Sequence, residues 1–241
     1  MALNIQTFKT RALTAIVFVA VMATGLFWNK WSFILLFTVI HFGCWYEFIK
    51  LMKKTYGTQY LPKTFLGFFY ITLPILMMLF LGFCLRSYSD DNGGEPLYYA
   101  WLFPCAILFS IWINDTMAYI VGSFIGKTPF SKISPKKTWE GTAGGAILCV
   151  LVIGVFIGPL LYSSAAFRNS YPQFKNSDWF IIAAICAVFG TLGDLLESKI
   201  KRTADVKDSG SIMPGHGGFL DRFDSLLIAT PFVWLYVLLF M

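Results

Sequence analysis

Carboxylates, cations and glycines crowd the segment from Asp194 to Asp224 of a chain that is otherwise mostly apolar. Asp194, Glu197, Ser198 and Lys201 stand at i, i+3, i+4 and i+7, which on a helix is one face. Asp221, Asp224 and Ser225 repeat the i, i+3, i+4 spacing. A carboxylate inside a spanning segment costs about 2.5–3.5 kcal/mol on insertion scales, so it is seldom idle. Two such faces offer hard oxygen ligands of the kind Mg²⁺ takes, a cation that binds through one or two carboxylates plus substrate phosphate. The competing reading is an Asp–Lys or Asp–Arg pair that neutralises itself at a membrane interface. Lys201, Arg202 and Lys207 flank these acids. The turn holding Gly215, Gly217 and Gly218 allows close backbone approach, and exposed amides there can cradle phosphate. An ordinary glycine loop would look the same.

A second polar loop runs Ser131-Lys132-Ile133-Ser134-Pro135-Lys136-Lys137-Thr138-Trp139-Glu140-Gly141. Two adjacent lysines, several hydroxyls and a helix N-terminus suit a triphosphate; a plain basic loop is the alternative. Asn114-Asp115-Thr116 adds polar groups late in an apolar run. His216 sits among glycines, where a turn or a phosphate contact suits it as well as a general base would. His41 lies within an apolar run and reads as a packed or hydrogen-bonded residue. The cysteines all fall in apolar runs without a C-x-x-C pair, which implies neither zinc nor a disulfide framework. No G-x-S-x-G, H-E-x-x-H or Walker A pattern occurs, which argues against a serine nucleophile, a zinc protease and a P-loop ATPase.

The elements that must position these groups are membrane helices. Hydrophobic residues make up 57% of the chain and charged residues 13%, against about 45–50% and 25% in soluble domains; mean hydropathy is +0.66. Seven apolar stretches, near 12–28, 31–49, 64–85, 97–122, 142–162, 179–197 and 223–240, approach the ~20 residues a spanning helix needs. The fourth is long enough for two short spans, so seven to nine crossings are expected of an all-α polytopic protein. The first stretch ends in bulky residues, without a small-residue cleavage site, and reads as a retained helix. With the N-terminus inside, all but four of the 19 cations fall on inside segments; Lys30, Arg86, Arg168 and Lys175 are the exceptions. That distribution predicts N-in, C-out. Asp115, Asp194, Glu197, Asp221, Asp224 and Glu140 then all approach the cytoplasmic face. No repeat, linker or soluble domain is evident. The reading divides the chain into N-terminal helices over 1–96 and a catalytic region over 97–241 with polar loops at 126–141 and 198–222.

Read together, Ser198, Lys201-Arg202, Lys207-Asp208, His216-Gly217-Gly218 and Asp221-Arg222-Phe223-Asp224 resemble the signature of the phosphatidate cytidylyltransferase (CDP-diacylglycerol synthase) family. The spacing matches throughout; Met213 is a small departure, where the family usually carries Leu, Ile or Phe. The segments 134–141 and 115–119 are also similar to family segments, so the resemblance covers about residues 110–225. It implies conversion of CTP and phosphatidic acid to CDP-diacylglycerol and pyrophosphate. It also implies Mg²⁺ dependence, with a K⁺ ion allowed at the same centre, a membrane homodimer, and Asp194 and Asp221 as metal ligands. On this expectation Lys201, Arg202, Lys207 and Arg222 hold phosphates and Lys136 and Lys137 the triphosphate. Asp224 and Asp115 play supporting parts, with Ser134, Ser198, His216, Gly217 and Gly218 at the substrates. No covalent intermediate or nucleic acid is expected. The setting is the bilayer, in a bacterial inner membrane with the site facing the cytoplasm. The rivals are a CTP-dependent kinase of a polyprenol-type lipid and, from a different class, a transporter, which would hold its acids near the midplane.

Overall fold

The computed structural model describes residues 5–83, 99–171, 174–212 and 217–241. Arg86, expected on an outside segment, lies outside the described residues, as do Met213, Gly215 and His216. Among the described residues ten α-helices follow one another: α1 (Ile5–Phe27), α2 (Lys30–Tyr56), α3 (Tyr60–Thr64), α4 (Leu73–Phe83), α5 (Leu102–Ile125), α6 (Trp139–Leu151), α7 (Gly158–Ser163), α8 (Ala165–Ser170), α9 (Asn176–Thr203) and α10 (Leu220–Phe240). Wider π-helical turns over Phe68–Thr72 and Val152–Ile157 lead into α4 and α7. No strand occurs among the described residues, as the all-α expectation requires. Five helical stretches among the described residues, Lys30–Thr64, Leu102–Ile125, Trp139–Ser163, Asn176–Thr203 and Leu220–Phe240, are long and apolar enough to cross a membrane. Two shorter apolar helices, Ala12–Phe27 and Phe68–Phe83, coincide with the first and third predicted stretches. Many large apolar side chains, Trp28, Leu35, Phe42, Phe124 and Leu160 among them, stay exposed, as lipid-facing residues do.

Two compact units divide the chain, and α9 and α10 each belong to both. One unit comprises Met1–Ile75 and Leu196–Asp224. Its core is the α2 stripe Phe33, Phe37, Ile40, Cys44, Phe48 and Leu51, fully or nearly fully buried at helical spacing. The α2 N-terminus is fixed by a capping box, in which the Asn29 side chain accepts the Ser32 amide and the Ser32 hydroxyl oxygen accepts the Asn29 amide. His41 Nε2 and Trp45 Nε1 converge on the Thr72 hydroxyl at 3.0 and 2.9 Å, the hydrogen-bonded role expected of His41. The α9 helix ends in a Schellman turn: Asp205 has φ 51°, its amide donates to the Arg202 carbonyl, and the Val206 amide donates to Lys201. The Arg202 guanidinium then donates to the Val206 carbonyl at 2.9 Å.

The other unit comprises Leu76–Leu195 and Ser225–Met241. Its most intimate pair is α5 against α6. Gly141 and Gly145 are four residues apart on α6, and an added Cβ at either would strike the backbone of α5 at Ala118 or Gly122. Small residues four apart let membrane helices approach until backbones touch. The aromatic cluster Phe103, Phe167, Phe174 and Trp179 packs elsewhere in this unit.

Candidate active site

In the second unit, beside the close α5–α6 contact, lies a cavity of about 600 Å³, within the range that ligand pockets occupy. Asn114, Asp115 and Tyr119 line it from α5, and Thr142 from α6. Thr191 and Asp194 of α9, with Ser134, Lys136, Lys137 and Thr138 from the intervening loop, complete it. Asp115, Ser134, Lys136, Lys137 and Asp194, all expected at the site, thus line one cavity. Lys137 pairs with the Asp194 carboxylate. Both side chains keep just over a quarter of their surface accessible, 28% and 29%, so the pair faces the cavity.

The loop is folded tightly enough to hold two lysines of like charge there. Phe130 and Lys137 are joined amide to carbonyl at 2.8 Å, and Trp139 donates to Thr128 at 3.0 Å. The Glu140 carboxylate, at the start of α6, receives the Thr128 hydroxyl at 2.7 Å and the amides of Lys127 and Thr128. Thr138 caps α6 by accepting the Gly141 amide at 3.1 Å. Glu140 therefore braces the loop, a role its position at the start of an apolar run did not announce.

The first unit holds the other named residues. Lys201 bridges Glu197 at 2.5 Å and Asp221 at 2.6 Å. Glu197 is fully buried, and Asp224 and Ser198 nearly so. Asp221 Oδ1 takes the Lys201 ammonium, while Oδ2 accepts the Gly218 amide at 2.7 Å and the Ser209 amide and hydroxyl, each at 2.9 Å. The glycines of this turn have a steric reason to be glycine. Gly217 has φ 82°, a left-handed conformation, and a Cβ at Gly218 would fall on the Glu47 carboxylate. Arg202, Lys207 and Arg222 are exposed. Glu47, which is not among the acids expected to carry the site, is 1% exposed and meets this turn directly. The only sequence signal for it is a carboxylate inside the predicted spanning stretch 31–49.

The oxygen donors present suit a hard divalent cation. Asp194 faces a cavity whose other polar lining includes a second carboxylate, the Asn114 amide, lysine ammonium and hydroxyl oxygen. At Asp221 the three donors on Oδ2 leave Oδ1 as the oxygen a cation would share with Lys201. Chemically, lysine ammoniums, hydroxyls and carboxylates around a cavity can hold a polyphosphate and its counter-ion.

Comparison with known proteins agrees with this inventory. The chain is 36% identical over 194 residues, 80% of its length and 67% of the other protein's, to a protein of Bacillus subtilis (strain 168) named phosphatidate cytidylyltransferase. It is 34% identical over 228 residues, 94% of its own length and 90% of the relative's, to a phosphatidate cytidylyltransferase of Rickettsia typhi. A chloroplastic phosphatidate cytidylyltransferase 5 of Arabidopsis thaliana matches at 40% over 154 residues, 63% of this chain and 36% of that one. The profile of the cytidylyltransferase family matches residues 74–240, a span that takes in the α5–α6 cavity, α9 and the turn into α10. By that match and by its similarity along nearly the full length of such relatives, the chain belongs to the cytidylyltransferase family.

Proposed function

We propose that this protein is a phosphatidate cytidylyltransferase, converting CTP and phosphatidic acid to CDP-diacylglycerol and pyrophosphate. The observation that carries the reading is the cavity that gathers Lys136, Lys137 and Ser134 with Asp115 and Asp194. In it the two lysines and the hydroxyls of Ser134, Thr138 and Thr142 would hold the triphosphate, with Lys137 released from Asp194 to do so.

A phosphate oxygen of the lipid attacks the α-phosphorus of CTP. The bond from that phosphorus to the oxygen bridging the β-phosphate breaks, and pyrophosphate leaves with its charge. Since the substrate is the nucleophile, no protein nucleophile is needed, and the absence of a nucleophile motif agrees. Charge repulsion between two anions is the main barrier, and preorganised cations lower it. Lys201, Arg202, Lys207 and Arg222 are the cations proposed for the lipid phosphate. Mg²⁺, for which Asp194 and Asp221 are the proposed ligands, would neutralise phosphate oxygens and stabilise the departing pyrophosphate. An apolar groove of about 390 Å³ lies in the first unit, lined by Val17 and Val21 of α1, Leu36 and Val39 of α2, and Phe219 and Phe223. Phe219 and Phe223 flank Asp221 in sequence, and the groove is the proposed seat of an acyl chain. The same reading has seven crossings with the N-terminus and polar loops on the cytoplasmic side of a bacterial inner membrane, and a homodimer.

Purified protein in detergent, given α-labelled CTP, phosphatidic acid and Mg²⁺, should yield labelled CDP-diacylglycerol and release pyrophosphate. Labelled CDP-diacylglycerol absent from that reaction would defeat the proposal, and CDP formed from CTP with a lipid alcohol would favour the kinase instead.

A further inference from the structure

We infer that Glu47 is a positioning residue for Asp221, holding the turn before α10 in place from the middle of α2. The inference rests on the reading of Asp221 as part of the reaction centre.

A helix begins with amides that have no intrahelical acceptor. An Asn, Asp, Ser or Thr just before the helix normally supplies one, but α10 is preceded by Gly218 and Phe219. The acceptor comes instead from far away in sequence. Glu47 Oε1 accepts the Phe219 amide at 3.0 Å, and Oε2 accepts the Leu220 amide at 2.9 Å. The Ser209 hydroxyl lies 2.7 Å from Glu47 Oε2 and 2.9 Å from Asp221 Oδ2. One hydroxyl has one proton, so Ser209 donates to one carboxylate at a time and ties the two together. The Ser209 amide, also on Asp221 Oδ2, fixes the other end of the same turn. Backbone packs so closely on Glu47 that a Cβ at Gly210 or Gly218 would overlap its carboxylate.

Among the described residues no cation pairs with Glu47. Its charge faces backbone amides, a hydroxyl and the positive end of α10. A buried carboxylate held this way is a poor choice for stability alone, since an apolar side chain would fill the site without a buried charge. What the carboxylate does supply is two acceptor oxygens at fixed separation, matched to two successive amides. That match sets where α10 starts, and so where the Asp221 carboxylate sits one residue later. Glutamine is isosteric but offers one acceptor; its NH₂ would confront the second amide donor.

The test compares Glu47→Gln, Glu47→Asp and Ser209→Ala with the unaltered protein in detergent. Steady-state kinetics are measured for CTP and phosphatidic acid. Hydrogen exchange is followed at the amides of residues 217–222, which reads the clamp without reference to activity. Glu47→Gln should lower kcat about 100-fold with KM for CTP within about threefold of normal, and should speed exchange at Phe219 and Leu220. Glu47→Asp, which keeps both acceptors on a shorter arm, should recover part of kcat. Ser209→Ala removes the tie without stranding a charge and should lower kcat about tenfold. If Glu47→Gln does not fold, Ser209→Ala decides. Normal kcat together with normal exchange in the variants would overturn the positioning role. If the unaltered protein makes no CDP-diacylglycerol, the proposed activity fails, and exchange in the 217–222 segment still decides whether Glu47 is the clamp.

Discussion

Replacing Gly145 by alanine perturbs the cavity from behind, through Ala118, without altering any polar group of its lining. A Cβ at Gly145 would lie 2.6 Å from the Ala118 Cβ, 2.7 Å from its amide nitrogen and 2.8 Å from its Cα. Ordinary carbon–carbon contact is about 3.5–4.0 Å, so α5 and α6 must separate by about 1 Å. Two of the nearest atoms are backbone, so no rotamer change relieves the contact. Overpacking of this kind typically costs about 1–3 kcal/mol. The gain in helix propensity on replacing glycine returns about 1 kcal/mol, leaving the protein folded. The cavity does not escape, because Asp115 and Tyr119 ride on α5 while Thr142 rides on α6. A displacement of about 1 Å at a reacting site can lower the rate about 100-fold. Gly144→Ala is the internal control: its Cβ meets the Val121 side chain, not backbone, and should lower turnover less than tenfold. The assay is CDP-diacylglycerol formation from labelled CTP, with thermal unfolding in the same detergent. Full turnover in Gly145→Ala, with unchanged unfolding temperature, would show that α5–α6 contact does not set the cavity.

Other outcomes are expected. Lys137→Met removes the partner of Asp194 and a triphosphate contact; KM for CTP should rise about 10- to 100-fold, the worth of one charge-assisted hydrogen bond, and an unchanged KM would remove Lys137 from the CTP site. Val17→Trp fills the apolar groove from an exposed position. Losing about two methylenes of lipid burial should raise KM for long-chain phosphatidic acid about tenfold while KM for CTP stays put. Asp205→Gly relieves the positive φ at the end of α9 and should raise stability by about 1 kcal/mol, read as a higher unfolding temperature. Asp221→Asn presents an NH₂ either to Lys201 or to the three donors on Oδ2. Turnover should fall by at least about 100-fold, and near-normal turnover would remove Asp221 from the centre.

Much of this protein is written locally. The apolar stretches became helices because each can satisfy its own backbone hydrogen bonds, as a chain in lipid must. The shared face of Asp194, Glu197 and Lys201 follows from helical spacing, and α9 indeed runs unbroken through Thr203. The loop lysines and Asp115 were legible as polar groups at one end of apolar runs. What they face was not. Asp194 and Lys137 are 57 residues apart in number and meet only because the loop before α6 and residues 176–195 of α9 belong to one packed unit. The Gly141-x-x-x-Gly145 spacing was visible but had no meaning until α5 supplied Ala118 and Gly122 as its counterpart.

Glu47 marks the limit most clearly. Its neighbours in sequence are apolar, aromatic or basic, and no spacing rule links it to residues more than 160 positions later. Its role depends on a cross-chain match between two carboxylate oxygens and two amides at the start of α10. Periodicity and composition decide which segments are helices and which side chains are polar, because those are properties of a few adjacent residues. Which carboxylate meets which lysine, amide or hydroxyl is decided by how distant helices pack, and that exists only in the folded chain.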